Sequence, residues 1–294
     1  MYIRFLAAVL GATLSLAVSA SSAFADKLVA LSIGVSAYTT SPLPSTVNDA
    51  QAVAHMLAEF GYDVRLLRDP TSQAMRDGVE EFIRAARDAD VAVLFFSGHG
   101  QQVNGESYLV PADAGSGTDD YADHLSVGAI VARLEAAGVK TKIVFVDACR
   151  NNPFLNRDGS PRSDRMGNAG AGERRILGPG VMISYASAAG EYSNDSLLAY
   201  SVYTQALLAV LRKEQRVELV QLTRAARRLV LERGAANVAR RQTPFEVSSI
   251  DVPIYFERTT GGRVQEIGRS RPQREPASRS PTESMRIGGG AVTR

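Results

Sequence analysis

One cysteine and one distant histidine have the residue types and settings for nucleophilic catalysis. His99 lies in a Ser-Gly-His-Gly motif after the apolar run Val91–Phe96, and Cys149 lies in Asp-Ala-Cys-Arg after the apolar run Ile143–Val146. A cysteine and a histidine that each follow a buried strand can form a pair in which the histidine activates the thiol. The alternative is that Cys149, the only cysteine of the chain, is an inert buried residue. Its polar neighbours argue against that.

The composition indicates a folded protein with one sizeable core. The chain has 294 residues, of which 45% are hydrophobic and 22% are charged, and its net charge is +2. A chain of this kind can bury one core and carry an unstructured end. A net charge this small gives no indication of binding to nucleic acid or to an anionic membrane, so neither partner is expected.

The first 25 residues resemble an export signal. Arg4 precedes the uncharged stretch Phe5–Ala25, which ends in Ala-Phe-Ala, a pattern typical of cleavage between Ala25 and Asp26. The apolar part is short for a membrane span, which needs about 20 predominantly apolar residues, so an uncleaved anchor is the less favoured alternative. The sequence therefore predicts a secreted or periplasmic protein with no stable membrane anchor after signal removal. In that oxidising compartment a single cysteine has no disulfide partner within its own chain.

Apolar runs alternate with helical periodicities from Lys27 onward, which predicts an α/β fold. Strands or extended segments are expected at Leu28–Val35, Tyr62–Leu67, Val91–Phe96, Ile143–Val146, Val181–Tyr185 and Phe245–Tyr255. Helices are expected at Val47–Phe60, Ser72–Arg87, Ser126–Ala137, Ala199–Leu211 and Val217–Glu232. The near-continuous apolar strands indicate a mostly parallel central sheet with helices on both faces. A small hairpin over Gln101–Val110 is expected to turn at Asn104-Gly105.

Changes in composition divide the chain further. A domain over 26–257 is expected to consist of a larger part, 26–154, and a smaller part, 179–257, with a flexible linker between them over 155–178. The linker is rich in glycine and arginine and has no strand or helix period. From Arg258 to Arg294 there are eight arginines, three glutamates and almost no large apolar residues, so a disordered basic tail is expected.

The predicted topology gathers three segments at one edge of the sheet. In open parallel sheets, functional groups lie beyond the carboxyl ends of the strands. His99, Cys149 and the loop Ser36–Val47 all follow such ends. This argument needs no assumption about the chemistry, and many α/β hydrolases share the arrangement.

Ser-Gly-His-Gly and Asp-Ala-Cys-Arg, 50 residues apart, resemble the motifs of the caspase-like cysteine peptidases of family C14. Within that family the chain is most similar to the bacterial metacaspase or orthocaspase branch. The resemblance covers roughly Lys27–Glu257. It implies a caspase-like three-layer sandwich and a cysteine-type endopeptidase that works through a thioester acyl-enzyme.

The resemblance also implies a role for each motif residue. The Cys149 thiolate would attack the scissile carbonyl, and His99 would protonate the leaving amine and then activate water. The backbone N–H groups of Gly100 and Cys149 would form the oxyanion hole. Glycines on both sides of the histidine suit such a close approach.

In metacaspases the pocket for the residue before the cut (the P1 residue) is acidic. By the same resemblance, Asp49, Ser97 and Asp147 would line that pocket, and cleavage after Arg, and less readily after Lys, is expected. Simpler explanations exist for each of them. Asp147 would be a supporting partner or a loop cap, Asp49 a helix-capping acid, and Ser97 a small packing residue.

Self-cleavage is a further expectation, because a linker that contains arginine would fit an acidic pocket of the same chain. The candidate sites are Arg165, Arg174 and Arg175. The alternative is an ordinary disordered insertion. Protein or peptide substrates with Arg or Lys at the cut are the expected partners, and the protein is expected to be a monomer.

No cofactor and no metal site is expected. His55 falls on the polar face of its helix, and His124 is expected to be a surface or capping residue. Neither belongs to a cluster with zinc-ligand spacing. Asp119, Asp120 and Asp123 form a loose acidic group that matches no calcium loop, although a calcium dependence stays possible because some metacaspases use that ion.

Two other functions stay open at this point. The fold could serve as a non-catalytic interaction or scaffold module, against which the intact motifs at both catalytic positions argue. The chain could also be a different Cys–His hydrolase, such as an amidase or acyltransferase on a similar sheet.

Overall fold

The apolar runs of the sequence form the strands of a mixed sheet in a computed structural model that describes residues 26–103, 105–114, 124–148, 178–187, 199–234 and 242–268. The strands are β1 Leu28–Gly34, β2 Asp63–Arg68, β3 Val91–Ser97, β4 Gly100–Val103, β5 Glu106–Leu109, β6 Leu125–Ser126, β7 Thr141–Asp147, β8 Val181–Tyr185, β9 Arg216–Glu218, β10 Phe245–Ser248, β11 Tyr255–Glu257 and β12 Arg263–Glu266. The helices of the described residues are α1 Thr46–Glu59, α2 Ser72–Ala85, α3 Val127–Ala136, α4 Val202–Lys213 and α5 Leu219–Gly234.

Seven of these strands form the central sheet, in the order β10-β8-β7-β3-β1-β2-β12. All neighbouring pairs are parallel except β10 and β8, which are antiparallel. The predicted α/β fold with a mostly parallel sheet is therefore confirmed. The parallel crossovers place the ends of β1, β3 and β7 at one edge, where the predicted functional residues follow.

Helices cover both faces of the sheet, and the alternation of side chains along each strand divides the core in two. Val93 and Phe95 of β3 belong to the core under α1, α4 and α5, whereas Leu94 and Phe96 belong to the core under α2 and α3. All four side chains are fully buried. A strand that is apolar on both faces is what a sheet between two helical layers requires.

The predicted hairpin is confirmed. β4 and β5 pair in antiparallel fashion, with Gly100 opposite Leu109, and β6 extends them to a three-stranded sheet. Gly105 at the turn has a φ of 83°, a left-handed conformation that glycine adopts without strain. This small sheet carries the chain away from the histidine motif.

The last predicted helix begins two residues later than expected, at Leu219. Val217 instead lies in β9, where it pairs with Phe256 of β11 in antiparallel fashion, and both side chains are buried. The pairing with a strand distant in sequence outweighs the helical periodicity of the segment.

The expectation of a disordered tail from Arg258 onward is wrong for residues 258–268. This segment lies on the domain, and its strand β12 pairs in parallel with β2 at the edge of the sheet. Charge pairs supply what the apolar content lacks: Arg263 with Asp63, and Arg68 with Glu266. Residues 269–294, like the expected signal segment 1–25, lie outside the described residues. Within those residues, no helix combines the length and the apolar character needed to cross a membrane.

Replacement of Arg263 by Gln is expected to lower the melting temperature slightly at pH 7. The Arg263 hydrogen bond is the main reason that the pKa of Asp63 lies below its usual range. A carboxylate with a lowered pKa stabilises the folded state above its unfolded pKa of about 3.9, and the contribution is lost as the pH falls through the folded pKa. The difference between the variant and the wild type should therefore shrink as the pH falls below the unfolded pKa of about 3.9. Thermal unfolding across this range checks it, with exposed Arg224 replaced by Gln as the control that shows no such pattern.

Candidate active site

The ends of three parallel strands define the site. Gly34 of β1, Ser97 of β3 and Asp147 of β7 are register partners, so they lie at the same level across neighbouring strands. Adjacent strands lie about 4.8 Å apart. His99 and Cys149 each follow two residues after one of these partners. The sheet therefore carries both segments to one edge, although Cys149 itself lies outside the described residues.

The backbone of His99 is fixed by a buried tyrosine. Its N–H donates to the hydroxyl of Tyr38 at 2.8 Å, and that hydroxyl donates to the carbonyl of Val110 at 2.9 Å. The carbonyl of His99 accepts from the N–H of Val110 at 3.1 Å. The histidine, 7% exposed, is thereby held between the loop after β1 and the segment after β5.

The imidazole of His99 is oriented by a backbone carbonyl. Its Nε2 lies 2.7 Å from the carbonyl oxygen of Ser41, and a carbonyl only accepts, so Nε2 carries the proton. In the neutral ring, Nδ1 is then the nitrogen that takes up a proton. The ring of Tyr38 packs against the imidazole, with centroids 4.4 Å apart and planes inclined by 51°. These contacts fix the orientation of the imidazole.

Burial raises the pKa of the Tyr38 hydroxyl far above its usual value, and the negative charge of Asp69 adds to that effect. The hydroxyl is therefore neutral at any physiological pH. It can accept the hydrogen bond from His99 while it donates one to Val110. A tyrosinate would have no proton to donate to the carbonyl.

The two predicted pocket acids come from different elements and converge on one serine. Asp49 lies in the first turn of α1 and is 0% exposed. Its carboxylate accepts from the hydroxyl of Ser97 and from the N–H of Ser201, both at 2.9 Å. Asp147 is 3% exposed, and its Oδ2 accepts from the hydroxyls of Ser201 and Thr204, the latter at 2.8 Å.

Ser201 therefore bridges the two carboxylates. It is also the N-cap of α4, because its hydroxyl accepts from the N–H of Thr204 at 3.0 Å. The N-terminus of a helix carries a partial positive charge that favours a nearby carboxylate. Asp147 thus holds the start of α4 through Ser201 and Thr204. The simpler explanation, that Asp147 is a supporting partner, therefore describes part of its role.

The simple explanations for Asp49 and Ser97, a capping acid and a packing residue, do not account for their contacts. Asp49 lies in the first turn of its helix, as a capping acid would, but its bonds to Ser97 and Ser201 reach two other elements. Ser97 contributes a hydrogen bond and is more than a packing residue. The structure thus brings together Asp49, Ser97 and Asp147 on the α1 and α4 face of the sheet edge.

Several predicted residues do not join this cluster. His55 is exposed on α1, as expected, with Nδ1 2.8 Å from the carbonyl of Gln51. For His124 the surface alternative is wrong, because the residue is buried where the chain enters β6, and the capping alternative stays a prediction. No group of three or more His, Cys, Asp or Glu side chains in the described part of the chain could hold a metal ion.

Most of the remaining predicted residues lie outside the part of the chain that the structure describes. Arg165, Arg174, Arg175, Asp119, Asp120 and Asp123 lie, like Cys149, outside the described residues. Gly100 is buried at the start of β4. The proposed oxyanion hole and the self-cleavage sites therefore stay predictions.

Sequence reasoning missed Tyr38, Ser41, Ser201 and Thr204. Ser201 carried a signal, because a serine before a predicted helix is a typical N-cap. The expected start of that helix, Ala199, lies three residues before the observed start, so the expected helix includes Ser201 and hides its role as N-cap. Tyr38 and Ser41 lie in a loop without periodicity, where only the folded chain reveals the contacts.

Comparisons with known proteins identify the family of the chain. A family model described as the caspase domain matches residues 27–255. The human mucosa-associated lymphoid tissue lymphoma translocation protein 1 is 33% identical over 87 residues, which are 29% of this chain and 11% of that protein. Its mouse homolog is 32% identical over 87 residues, 29% of this chain and 10% of that protein. The chain thus spans about a tenth of the length of these relatives.

Replacement of Gly98 by Ala is expected to destabilise the protein and to displace the histidine. A Cβ at this position would lie 2.6 Å from the Tyr38 hydroxyl and 2.7 Å from the ring of Phe96. Overpacking of a buried site costs about 2 kcal/mol, which chemical denaturation measures. The matched background is Tyr38→Phe, which removes the hydroxyl that the methyl group would meet. The cost of Gly98→Ala should be smaller in that background, and strictly additive costs would contradict the contact.

Proposed function

The chain belongs to the caspase domain family of cysteine peptidases, and from this membership we propose that it is an endopeptidase that cleaves after arginine, and less readily after lysine. The observation that carries the specificity is the convergence of Asp49 and Asp147 on Ser201 beside the end of β3. Two buried carboxylates that lie close together repel each other, and a cation bound between them would offset that repulsion.

In the proposed reaction His99 first takes the proton of the Cys149 thiol. The sulfur then bonds to the scissile carbonyl carbon, and the carbonyl oxygen becomes an oxyanion that accepts from the N–H groups of Gly100 and Cys149. The C–N bond then breaks, the amine leaves with a proton from His99, and a thioester remains. His99 next removes a proton from water, which attacks the thioester and releases the acid and the thiolate. The Nε2–Ser41 contact supports this role, because it leaves Nδ1 as the nitrogen that exchanges the proton.

The preference for arginine over lysine follows from the shape of the cation. A guanidinium presents several N–H donors in one plane and can bond to two carboxylates at once, whereas an ammonium is a compact point charge. Asp49 and Asp147 are fixed by hydroxyl and amide donors and are therefore preorganised for such a fork. An acidic residue before the cut would meet like charges and would be rejected.

Cleavage of matched fluorogenic peptides with Arg, Lys or Asp before the cut tests this proposal. The Arg peptide is expected to be cleaved best, the Lys peptide more slowly and the Asp peptide not at all. Cys149→Ala should lower the rate by about 10³-fold or more. Asp147→Asn keeps the shape and removes the charge, and should lower kcat/KM for the Arg peptide about 10- to 100-fold, since a charge-assisted hydrogen bond contributes about 1.5–3 kcal/mol. Asp90→Asn is the control. Asp90 lies just before β3, at the amino ends of the parallel strands, and its replacement should leave kcat/KM unchanged.

The other candidate functions correspond to distinct outcomes of this experiment. Cleavage of the Asp peptide would retain the peptidase and contradict the acidic pocket. Turnover of a small amide in preference to every peptide would favour a different Cys–His hydrolase. The absence of any turnover, with reductant and with or without calcium, would favour a non-catalytic module of the caspase fold.

The proposal extends to self-cleavage in the linker, where the anchoring of the chain limits the choice of site. Where the chain re-enters the sheet, the carbonyl of Gly178 accepts from the hydroxyl of Ser249 at 2.6 Å, and the carbonyl of Pro179 accepts from Nζ of Lys142 at 2.7 Å. Lys142 is buried, and desolvation lowers the pKa of its ammonium. These bonds fix Gly178 at the beginning of β8, the end opposite the active site.

Chain length then separates the candidate sites. The Gly178 anchor lies at the level where β7 begins, and Asp147 lies where β7 ends. The seven residues of β7 therefore separate the two levels by about 20 Å. Arg174 and Arg175 precede Gly178 by four and three residues, and an extended chain of that length reaches at most about 14 Å. Arg165 precedes it by 13 residues, with a reach of about 45 Å. Cleavage within one molecule is therefore proposed after Arg165, and cleavage after Arg174 or Arg175 requires a second molecule or release of the anchor.

Mass spectrometry of the fragments over time, at two protein concentrations 100-fold apart, distinguishes these routes. The fraction cut after Arg165 should grow at the same rate at both concentrations, whereas cuts after Arg174 or Arg175 should depend on concentration. Arg165→Gln should remove the first class of cut alone. Fragments that also form in the Cys149→Ala protein would contradict self-cleavage and indicate a contaminating protease.

The finer expectations from the sequence belong to the same proposal. They are membership of the metacaspase or orthocaspase branch, export through residues 1–25 with cleavage after Ala25, action as a monomer and independence from a resident cofactor. Fractionation of cells that express the full chain, followed by N-terminal sequencing of the product, tests export.

A further inference from the structure

Asp69 ties down the beginning of the loop that holds the histidine. It follows β2, and its Oδ1 accepts from the N–H of Ser36 at 2.6 Å, from the N–H of Ala37 at 2.9 Å and from the hydroxyl of Ser36 at 3.0 Å. Its own N–H donates to the carbonyl of Gly34 at 2.8 Å. One carboxylate thus receives three donors from the first two residues of the loop.

The other end of this loop is closed as firmly. The hydroxyl of Thr46 at the start of α1 donates to the carbonyl of Val35 at 2.6 Å and lies 3.0 Å from that of Leu43. The N–H of Leu43 donates to the carbonyl of Ser36 at 3.1 Å. The loop is therefore a closed unit whose position relative to the sheet depends on its two ends.

Between these ends lie the two groups that touch His99. Tyr38 is the second residue after Ser36, and its hydroxyl and ring contact the histidine. Ser41 supplies the carbonyl on Nε2, and it has a φ of 59°, a conformation that is uncommon for residues other than glycine. A loop that shifts at its beginning would move both contacts together.

We propose that Asp69 is a positioning residue for His99: through the loop 36–46 it sets the tautomer and the orientation of the imidazole. This inference rests on the proposed function only in that His99 is the acid–base group. Its physical basis is the convergence of three donors on one oxygen of Asp69, which ties Ser36 and Ala37 to the end of β2. Displacement of a catalytic group by about 1 Å can cost as much as 100-fold in rate.

The conformation of Asp69 provides a clean variant. Its φ is 47°, in the left-handed region that asparagine and glycine adopt readily. Asp69→Gly removes the carboxylate without strain, and Asp69→Asn keeps an oxygen that can accept from the backbone of Ser36 and Ala37. Asp88, with a φ of 54°, lies in an exposed turn before β3, near the opposite edge of the sheet. Asp88→Gly is therefore the matched control for the same substitution in the same backbone conformation.

The first readout is the ¹⁵N NMR spectrum of the imidazoles in full-length Cys149→Ala protein at a pH where the rings are neutral. With Asp69 present, His99 should be almost entirely the Nε2–H tautomer. In Asp69→Gly the Nδ1–H tautomer should become populated, and Asp69→Asn should restore most of the original signal. The chain has three histidines, and the signals of His55 and His124 serve as internal references that should not move.

The second readout is peptide cleavage by the protein with Cys149 intact. Asp69→Gly should lower kcat about 10-fold with KM changed less than twofold, because the specificity pocket lies on other elements. Asp69→Asn should recover most of the rate, and Asp88→Gly should match the wild type.

An unchanged His99 spectrum in Asp69→Gly would overturn the inference, whatever the enzyme cleaves. If Asp69→Gly fails to fold, Ser36→Ala removes one of the three donors and should shift the tautomer in the same direction by a smaller amount. If no variant cleaves any peptide, the proposed function fails, and the NMR result still decides whether Asp69 positions the imidazole.

Discussion

The parallel register of β1, β3 and β7 is the constraint on which the site depends. It aligns Gly34, Ser97 and Asp147 at one level, and it puts the side chains of Ser97 and Asp147 on the face that carries α1 and α4. A slip of one residue would turn Asp147 toward the opposite face and away from Ser201. Such a slip would also disrupt the packing of both cores, because the side chains on each face of β3 and β7 are buried there. Core packing and site geometry are therefore decided by the same pairing.

Burial of two carboxylates explains why hydroxyl groups surround them at the carboxyl ends of the strands. An ionised carboxylate taken out of water loses several kcal/mol of solvation, which hydrogen bonds and helix dipoles must offset. Asp49 and Asp147 meet this requirement with donors from Ser97, Ser201 and Thr204, and the N-terminus of α4 adds its partial charge. Donors that are fixed by secondary structure also limit how far each carboxylate can turn. The arrangement holds both carboxylates at the carboxyl ends of the strands, where the proposed pocket would bind a substrate cation.

The parts of this structure that sequence predicted are those with a period or a motif. The apolar runs predicted the strands of β1, β3, β7 and β8 and the layered α/β fold. The family motifs predicted the positions of His99, Asp49, Ser97 and Asp147 near one edge. The missed parts depend on contacts between residues far apart in sequence: β12 is held by Arg263 and Glu266 on the edge of β2, and Tyr38 reaches the histidine across 61 residues. Neither a charge pair across a sheet edge nor a loop contact leaves a pattern within a short window of sequence.

The site is assembled from both parts of the domain, and this bears on what a cut linker would do. His99, Asp49 and Asp147 belong to the part before the linker, whereas Ser201 and Thr204 belong to the part after it. After a cut, the two chains would remain joined by the pairing of β7 with β8 and by the core that α4 shares with α1. The paired residues of β7 and β8 all lie outside the expected linker, 155–178. A cut would therefore leave in place the contacts of Ser201 with Asp49 and Asp147. The sheet, and not the linker, holds the two halves of the site together.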